Sequence, residues 1–248
     1  MSAGPGAEAV IDTLHASILQ AGGQTARLRS VLDRPDLDEQ ILLSLLRRAM
    51  PPAFLEILAA TRPWSERPLV LARVVLNPAA PRTLSLRLVS SLYWRDLAAV
   101  AATPHVVGAV RARAESLLRE LLGDMRLGDR VTLARIATPA VLPLLLLDAE
   151  HKVTEAVLMN PRLREEDLLV ALRRDDAPKA LIEAAASSAK WSANYAVRLA
   201  LVLQPRTPLP LALLQVSSLV PRDLERVVET PGLRPLLHAA ARAVLERD

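Results

Sequence analysis

The sequence predicts an all-α protein, a right-handed α-solenoid of short helix pairs arranged in two tandemly duplicated halves. Three observations predict this fold class: a core composition that is aliphatic and almost free of rings, prolines that recur at near-regular intervals, and a second half that copies the first. Helices of this kind bury their apolar faces only by stacking on their neighbours in the chain.

The composition favours helices. The chain has 248 residues, of which 51% are hydrophobic and only 2% aromatic, so the core must consist of Leu, Ala and Val. Leu and Ala are good helix formers, so this composition favours helices over sheets. The chain has no cysteine, which excludes disulfides, zinc–thiolate sites, iron–sulfur clusters and cysteine nucleophiles.

Prolines punctuate the chain at intervals of 22 or 26 residues, or at twice 22. A proline in the first turn of a helix loses no needed hydrogen bond, and it also ends the preceding helix. The intervals therefore predict helices of about 8–14 residues, which are too short to be stable alone. These helices must stack.

The second half of the chain repeats the first. Two pairs of segments align: residues 64–104 with 191–231 at an offset of 127, and residues 34–48 with 160–174 at an offset of 126. The first pair is identical at 19 of 41 positions without a gap. We predict four regions in one continuous solenoid: a flexible N-terminus (1–10), a first half (11–122), a join (123–136) and a second half (137–248).

Two segments, LARVVLNPAAPRTLSLRLVSS (71–91) and VTEAVLMNPRLREEDLLVAL (153–172), resemble the leucine-rich repeat variant family, which is related in outline to HEAT repeats. The resemblance includes an Asn-Pro corner at Asn77 and Asn160. It implies a solenoid of α helices alternating with 3₁₀ or short α helices. One branch of that family holds an iron–sulfur cluster through cysteines, a feature that a chain without cysteine does not share.

Trp64 and Trp191 occupy matching positions in the two halves and are candidate partner-binding residues. Two equivalent indoles could stack on bases or anchor a partner peptide. In the alternative interpretation, which we favour, each ring staples a corner while Ser65 or Ser192 caps the following helix.

Arginines form the second candidate set. Arg67, Arg73 and Arg198 could line a concave groove, with Tyr195 beside them, because residues at corresponding positions of successive helices share one face. Arginine grips phosphates or carboxylates through two parallel hydrogen bonds. The alternative is a solvated face in which acids such as Glu39 neutralise the arginines.

No catalytic or cofactor site is predicted. Asp96 and Asp223 recur in the two halves, but each is expected in the first turn of a helix, where a carboxylate favours the dipole. The four histidines are far apart in sequence and form no metal-binding pair. Phosphate-loop, dinucleotide-binding and nucleophile-elbow motifs are missing. We therefore expect no enzyme, no metal, no cofactor and no small-molecule substrate.

The predicted function is a non-catalytic scaffold that mediates protein–protein interaction through its concave face. The alternative is a HEAT-like nucleic-acid-binding protein with a basic, Arg-lined groove. The net charge is +4, and acids that neutralise the arginines would favour a protein partner. The sequence shows neither a membrane span nor a secretory signal, so we expect a cytoplasmic protein. The excess of Arg over Lys indicates a GC-rich, bacterial genome.

Overall fold

The computed structural model describes residues 5–247, of which no residue lies in a β-strand. Helices make up 69% of the structure, so the all-α prediction is confirmed. Residues 1–4 of the predicted flexible N-terminus lie outside the described residues, whereas residues 5–10 belong to the first helix.

The chain divides into two compact units, Met1–Leu121 and Leu122–Asp248. The helices of the first unit are α1 (Pro5–Ala21), α2 (Thr25–Leu32), α3 (Glu39–Leu45), α4 (Pro52–Ala60), α5 (Pro68–Val75), α6 (Arg82–Leu88), α7 (Trp94–Ala102) and α8 (Gly108–Leu121). Short 3₁₀ turns follow α4 at Trp64–Glu66 and α6 at Val89–Ser91.

The second unit begins with a third 3₁₀ turn at Leu122–Asp124. Its helices are α9 (Leu127–Ile136), α10 (Leu142–Leu145), α11 (His151–Leu158), α12 (Glu165–Leu172), α13 (Lys179–Ser187), α14 (Ala189–Ser192), α15 (Tyr195–Leu203), α16 (Leu209–Val216), α17 (Pro221–Glu229) and α18 (Pro235–Leu245). Helix α9 occupies most of the predicted join.

Proline sets the helix starts as predicted. A proline occupies the first or second position of α4, α5, α10, α16, α17 and α18. At these positions the missing N–H would have had no partner in the helix. The core is aliphatic, with Phe54 as the one fully buried phenylalanine ring.

Corresponding helices of the two units have corresponding neighbours. In the first unit α2 packs against α4, α3 against α5, and α7 against α8. In the second unit α11 packs against α13, α12 against α15, and α17 against α18. The aligned segments of sequence therefore make equivalent packing contacts within each unit.

A buried side-chain amide closes the end of a neighbouring helix at three corners. After α5, the Asn77 Nδ2 donates to the carbonyls of Leu46 at 2.9 Å and Arg48 at 2.7 Å, at the end of α3. The last carbonyls of a helix have no partner inside it. Asn77 supplies that partner from the helix packed alongside.

The second unit repeats this contact twice. After α15, the Gln204 Nε2 donates to the carbonyls of Leu172 at 2.6 Å and Arg174 at 2.9 Å, at the end of α12. After α11, the Asn160 Nδ2 donates to two carbonyls at the end of α9, those of Ala134 at 2.8 Å and Ala137 at 3.3 Å. The Asn-Pro corner of the sequence is thus a cross-link between neighbouring helices.

We predict that Asn77→Ala lowers the free energy of unfolding by about 3 kcal/mol, because it leaves two carbonyls without a partner in a buried position. Asn77→Gln should be milder, since Gln204 makes the same contacts in the second unit. Urea unfolding followed by circular dichroism measures both. The control is Gln40→Ala on the exposed face of α3; an equal loss in Gln40→Ala and Asn77→Ala would rule out a special role for the corner.

Candidate functional site

The two matching tryptophans point inward. Trp64 is 8% exposed and Trp191 is 4% exposed. Their indole N–H groups donate to the last carbonyls of α2 and α11, those of Leu32 at 3.5 Å and Leu158 at 3.0 Å. The rings are therefore not available to stack on bases or to anchor a peptide, and that interpretation is wrong.

The predicted serine caps are also wrong. Ser65 lies inside the 3₁₀ turn and Ser192 is the last residue of α14. The residue before α5 is Arg67, whose side chain makes no capping bond. The residue before α15 is Asn194, whose side-chain oxygen accepts from the Val197 N–H at 3.2 Å. Proline at the start of α5 removes the need for a serine there.

Arg67 pairs with an acid within its own unit. Its guanidinium lies 3.1 Å from Glu39 on α3. At the corresponding place in the second unit, the Asn194 Nδ2 donates to Glu165 on α12 at 2.8 Å. A charged pair in one half and a neutral donor in the other make the same helix-to-helix link.

An acid also lies near Arg73 of the predicted groove, and another lies near Arg174 and Arg206 in the second unit. Asp96 faces Arg73: desolvation raises the pKa of Asp96, and the positive charge of Arg73 opposes that rise. Asp176 has its pKa lowered mainly by a hydrogen bond from Arg174, with Arg206 adding attraction. Acids thus stand beside these arginines, which favours a protein partner over nucleic acid.

Tyr195 and Arg198 belong to an internal network of the second unit. The Tyr195 hydroxyl donates to Asp223 and accepts from the Val220 N–H at 3.2 Å. The Arg198 guanidinium lies 5.6 Å from the centroid of the tyrosine ring. The network joins α15 to the start of α17.

Asp96 and Asp223 lie in the first turns of α7 and α17, as predicted.

A concave groove lies elsewhere in the second unit, between α9, α11, α13 and α14. It encloses about 670 Å³. The lining side chains are Val131, Arg135, Lys152, Glu155, Ala156, Leu158, Met159, Ala184, Ser187, Ser188, Ala189 and Lys190. None of the residues in the predicted site set lines this groove.

The floor of the groove is apolar and built from small side chains. Ala156 and Ala184 are buried there beside Leu158. At the edge stands Met159, whose side chain is 80% exposed. A single exposed apolar side chain is ordinary, but here it continues an apolar concave surface.

Three exposed cations surround this floor: Arg135, Lys152 and Lys190. Among the described ion pairs, none involves these three side chains. The one acid of the lining, Glu155, lies 3.2 Å from His151. The Lys190 ammonium stacks 4.3 Å from the centroid of the buried Trp191 ring. The rim is therefore positive.

The duplication contains the signal that could have located this groove. At the offset of 126, Met159 aligns with Asp33 and Lys152 with Ala26. The alignment holds at this point because α2 and α11 end at equivalent residues, each bonded by an equivalent tryptophan. An exposed methionine and a lysine thus stand where the other half has an aspartate and an alanine.

No protein-family model, curated protein or solved structure matches this chain. No described helix is long and apolar enough to cross a membrane. Within residues 5–247, no three His, Asp or Glu side chains are placed to hold a metal ion. The groove of the second unit is therefore the candidate functional site.

We predict that the Tyr195 phenol titrates above its ordinary value of 10.0, because desolvation and the hydrogen bond to Asp223 both raise its pKa. A raised pKa means that the native state favours the neutral phenol. This contribution to stability is complete below the ordinary value and is lost as pH rises through the raised one.

Ultraviolet absorbance of the phenolate in Tyr93→Phe, which leaves Tyr195 as the single tyrosine, measures this titration. Adding Asp223→Asn should move the midpoint down. A midpoint at or below 10.0, or one that Asp223→Asn leaves in place, would show that the network does not hold the phenol.

Proposed function

We propose that this protein is a non-catalytic scaffold that binds a protein partner, and that the groove between α9, α11, α13 and α14 is the binding surface. We also propose that the helices of each unit stack as a right-handed α-solenoid, the arrangement that the resemblance to the leucine-rich repeat variant family implies. The observation that carries the functional proposal is the exposure of Met159 at the edge of an apolar, concave floor.

The composition of the groove supports a protein partner. Protein interfaces combine an apolar, concave centre with a polar rim, and methionine and arginine are enriched in them. The floor around Ala156 and Leu158 supplies the apolar centre, and the surrounding cations supply the rim. An exposed methionine adapts to different partner shapes, because it is unbranched and polarizable.

The pairing of arginines with carboxylates argues against the nucleic-acid alternative. Seven arginines of the described chain lie within ion-pair distance of an acid: Arg34, Arg48, Arg62, Arg67, Arg113, Arg130 and Arg174. A phosphate backbone would have to compete with those carboxylates for the guanidinium groups. The cytoplasmic location, the bacterial source and the absence of enzymatic activity stay predictions.

We predict that Met159→Asp abolishes capture of the partner from native lysate, because it places a charge at the apolar edge of the groove. The matched control is Val170→Asp, a substitution at another exposed apolar side chain, 66% exposed on α12. Affinity capture with both variants and the parent protein, followed by mass spectrometry, is the measurement. Circular dichroism establishes that each variant is folded.

The proposal fails if Met159→Asp captures the same proteins as the parent, or if Val170→Asp loses them equally. Binding to a generic DNA duplex at ~50 mM and ~200 mM salt tests the alternative, since phosphate contacts weaken steeply over that range. Salt-sensitive duplex binding that Met159→Asp leaves unchanged would favour the nucleic-acid function.

A further inference from the structure

We infer that the groove takes an acidic amphipathic helix, presented by the partner protein. This inference rests on the proposed function and specifies the chemistry of its partner. It follows from three features of the groove: the charge of its rim, the kind of backbone that its walls can accept, and the way the surface differs from its counterpart in the first unit.

The rim selects for acids. Arg135, Lys152 and Lys190 are exposed around the floor and make no ion pair within the described chain. The chain has only three lysines, and two of them stand here. The lining contains a single acid, Glu155, so cations outnumber acids around the groove. Charges on a rim mainly set partner choice and association rate, so they favour a partner that carries acids beside its apolar contacts.

The walls select for a helix. All the lining residues belong to helices α9, α11, α13 and α14 or to the turns that end them. An extended peptide gains affinity by pairing its backbone with a free strand edge, and residues 5–247 offer no strand. A helix satisfies its own backbone hydrogen bonds and needs only an apolar stripe to lay into a groove.

The floor lets such a helix approach closely. Ala156 and Ala184 leave room above them, and Met159 stands at the edge where it can fold over a bulky apolar side chain. Helices α4 and α13 align at an offset of 127, because both follow a proline, Pro51 or Pro178. The counterpart of Ala184 in the first unit is therefore Ile57, a residue with three more heavy atoms. The side chain at this position is smaller in the second unit, although α11 packs against α13 as α2 packs against α4.

Three other sequence differences between the units also make the second unit more apolar and more positive at the groove. At corresponding positions, the first unit has Asp33 for Met159, Ala26 for Lys152 and, beside the tryptophan, Pro63 for Lys190. One half thus carries an acid where the other carries an apolar anchor, and uncharged residues where the other carries lysines. The two units share the same helix packing but differ in these surface residues. This difference supports the second unit as the one that carries the binding surface.

The test uses a designed helical peptide of about 18 residues, held helical by a side-chain lactam, with leucines at i, i+3, i+4 and i+7 on one face and glutamates on the other. Two further peptides serve as comparisons: one with lysines replacing the glutamates, and one with the leucines scattered around the helix. The intact protein carries [¹³C]methyl-methionine, and its four methionines are Met1, Met50, Met125 and Met159. Methyl NMR therefore reports directly on the edge of the groove.

We expect the acidic peptide to shift the Met159 methyl resonance and leave that of the buried Met50 unchanged. Lys152→Glu combined with Lys190→Glu should weaken the affinity about tenfold, because two attractions become repulsions. The matched control is Lys179→Glu, the third lysine, which pairs with Glu183 on α13 and does not line the groove. Raising the salt concentration should weaken binding of the acidic peptide to the parent protein.

The inference is overturned if the lysine peptide or the scattered peptide binds as tightly as the acidic one. It is also overturned if no peptide moves the Met159 resonance while a DNA duplex or an anionic vesicle does. If no peptide binds and Met159→Asp still abolishes capture from lysate, the chemistry is wrong and the scaffold function stands. If that substitution leaves capture intact, the proposed function itself fails.

Discussion

The structure depends on closing the ends of helices that are too short to be stable alone. Most helices have 7 to 11 residues, so their terminal carbonyls form a large share of their backbone. Buried amides at Asn77, Asn160 and Gln204 satisfy carbonyls of the helix packed alongside. Each such bond links a sequence corner to the end of a helix that lies 23 to 32 residues earlier in the chain. Local helix formation and packing are therefore achieved together within each unit.

The groove uses the same device. Trp191 donates its indole N–H to Leu158, the last residue of α11, and the next residue along the chain is Met159. Lys190 precedes the tryptophan and stacks on its ring. A buried structural residue thus holds the backbone next to Met159 and contacts the Lys190 side chain at the edge of the groove.

Much of the fold could be predicted from sequence, because its signals are local. Proline in the first turn marked the starts of six helices, including α4 and α17, and the composition predicted an aliphatic core of Leu, Ala and Val. The site could not be predicted in the same way. Arg135 lies in a segment interpreted as a join, and it meets Lys152 and Lys190 only once α9, α11 and α14 are packed. The repeated tryptophans suggested a binding site, but each one donates its indole N–H to the last carbonyl of a neighbouring helix.

Native-state hydrogen exchange on the parent protein and Gln204→Ala tests most directly whether corner amides couple neighbouring helices. If the amides couple these helices, removing the Gln204 amide speeds exchange in the last turn of α12 as well as at the end of α15, although these segments are about 30 residues apart in the chain. Faster exchange confined to the residues around position 204, with α12 as protected as in the parent protein, would contradict it.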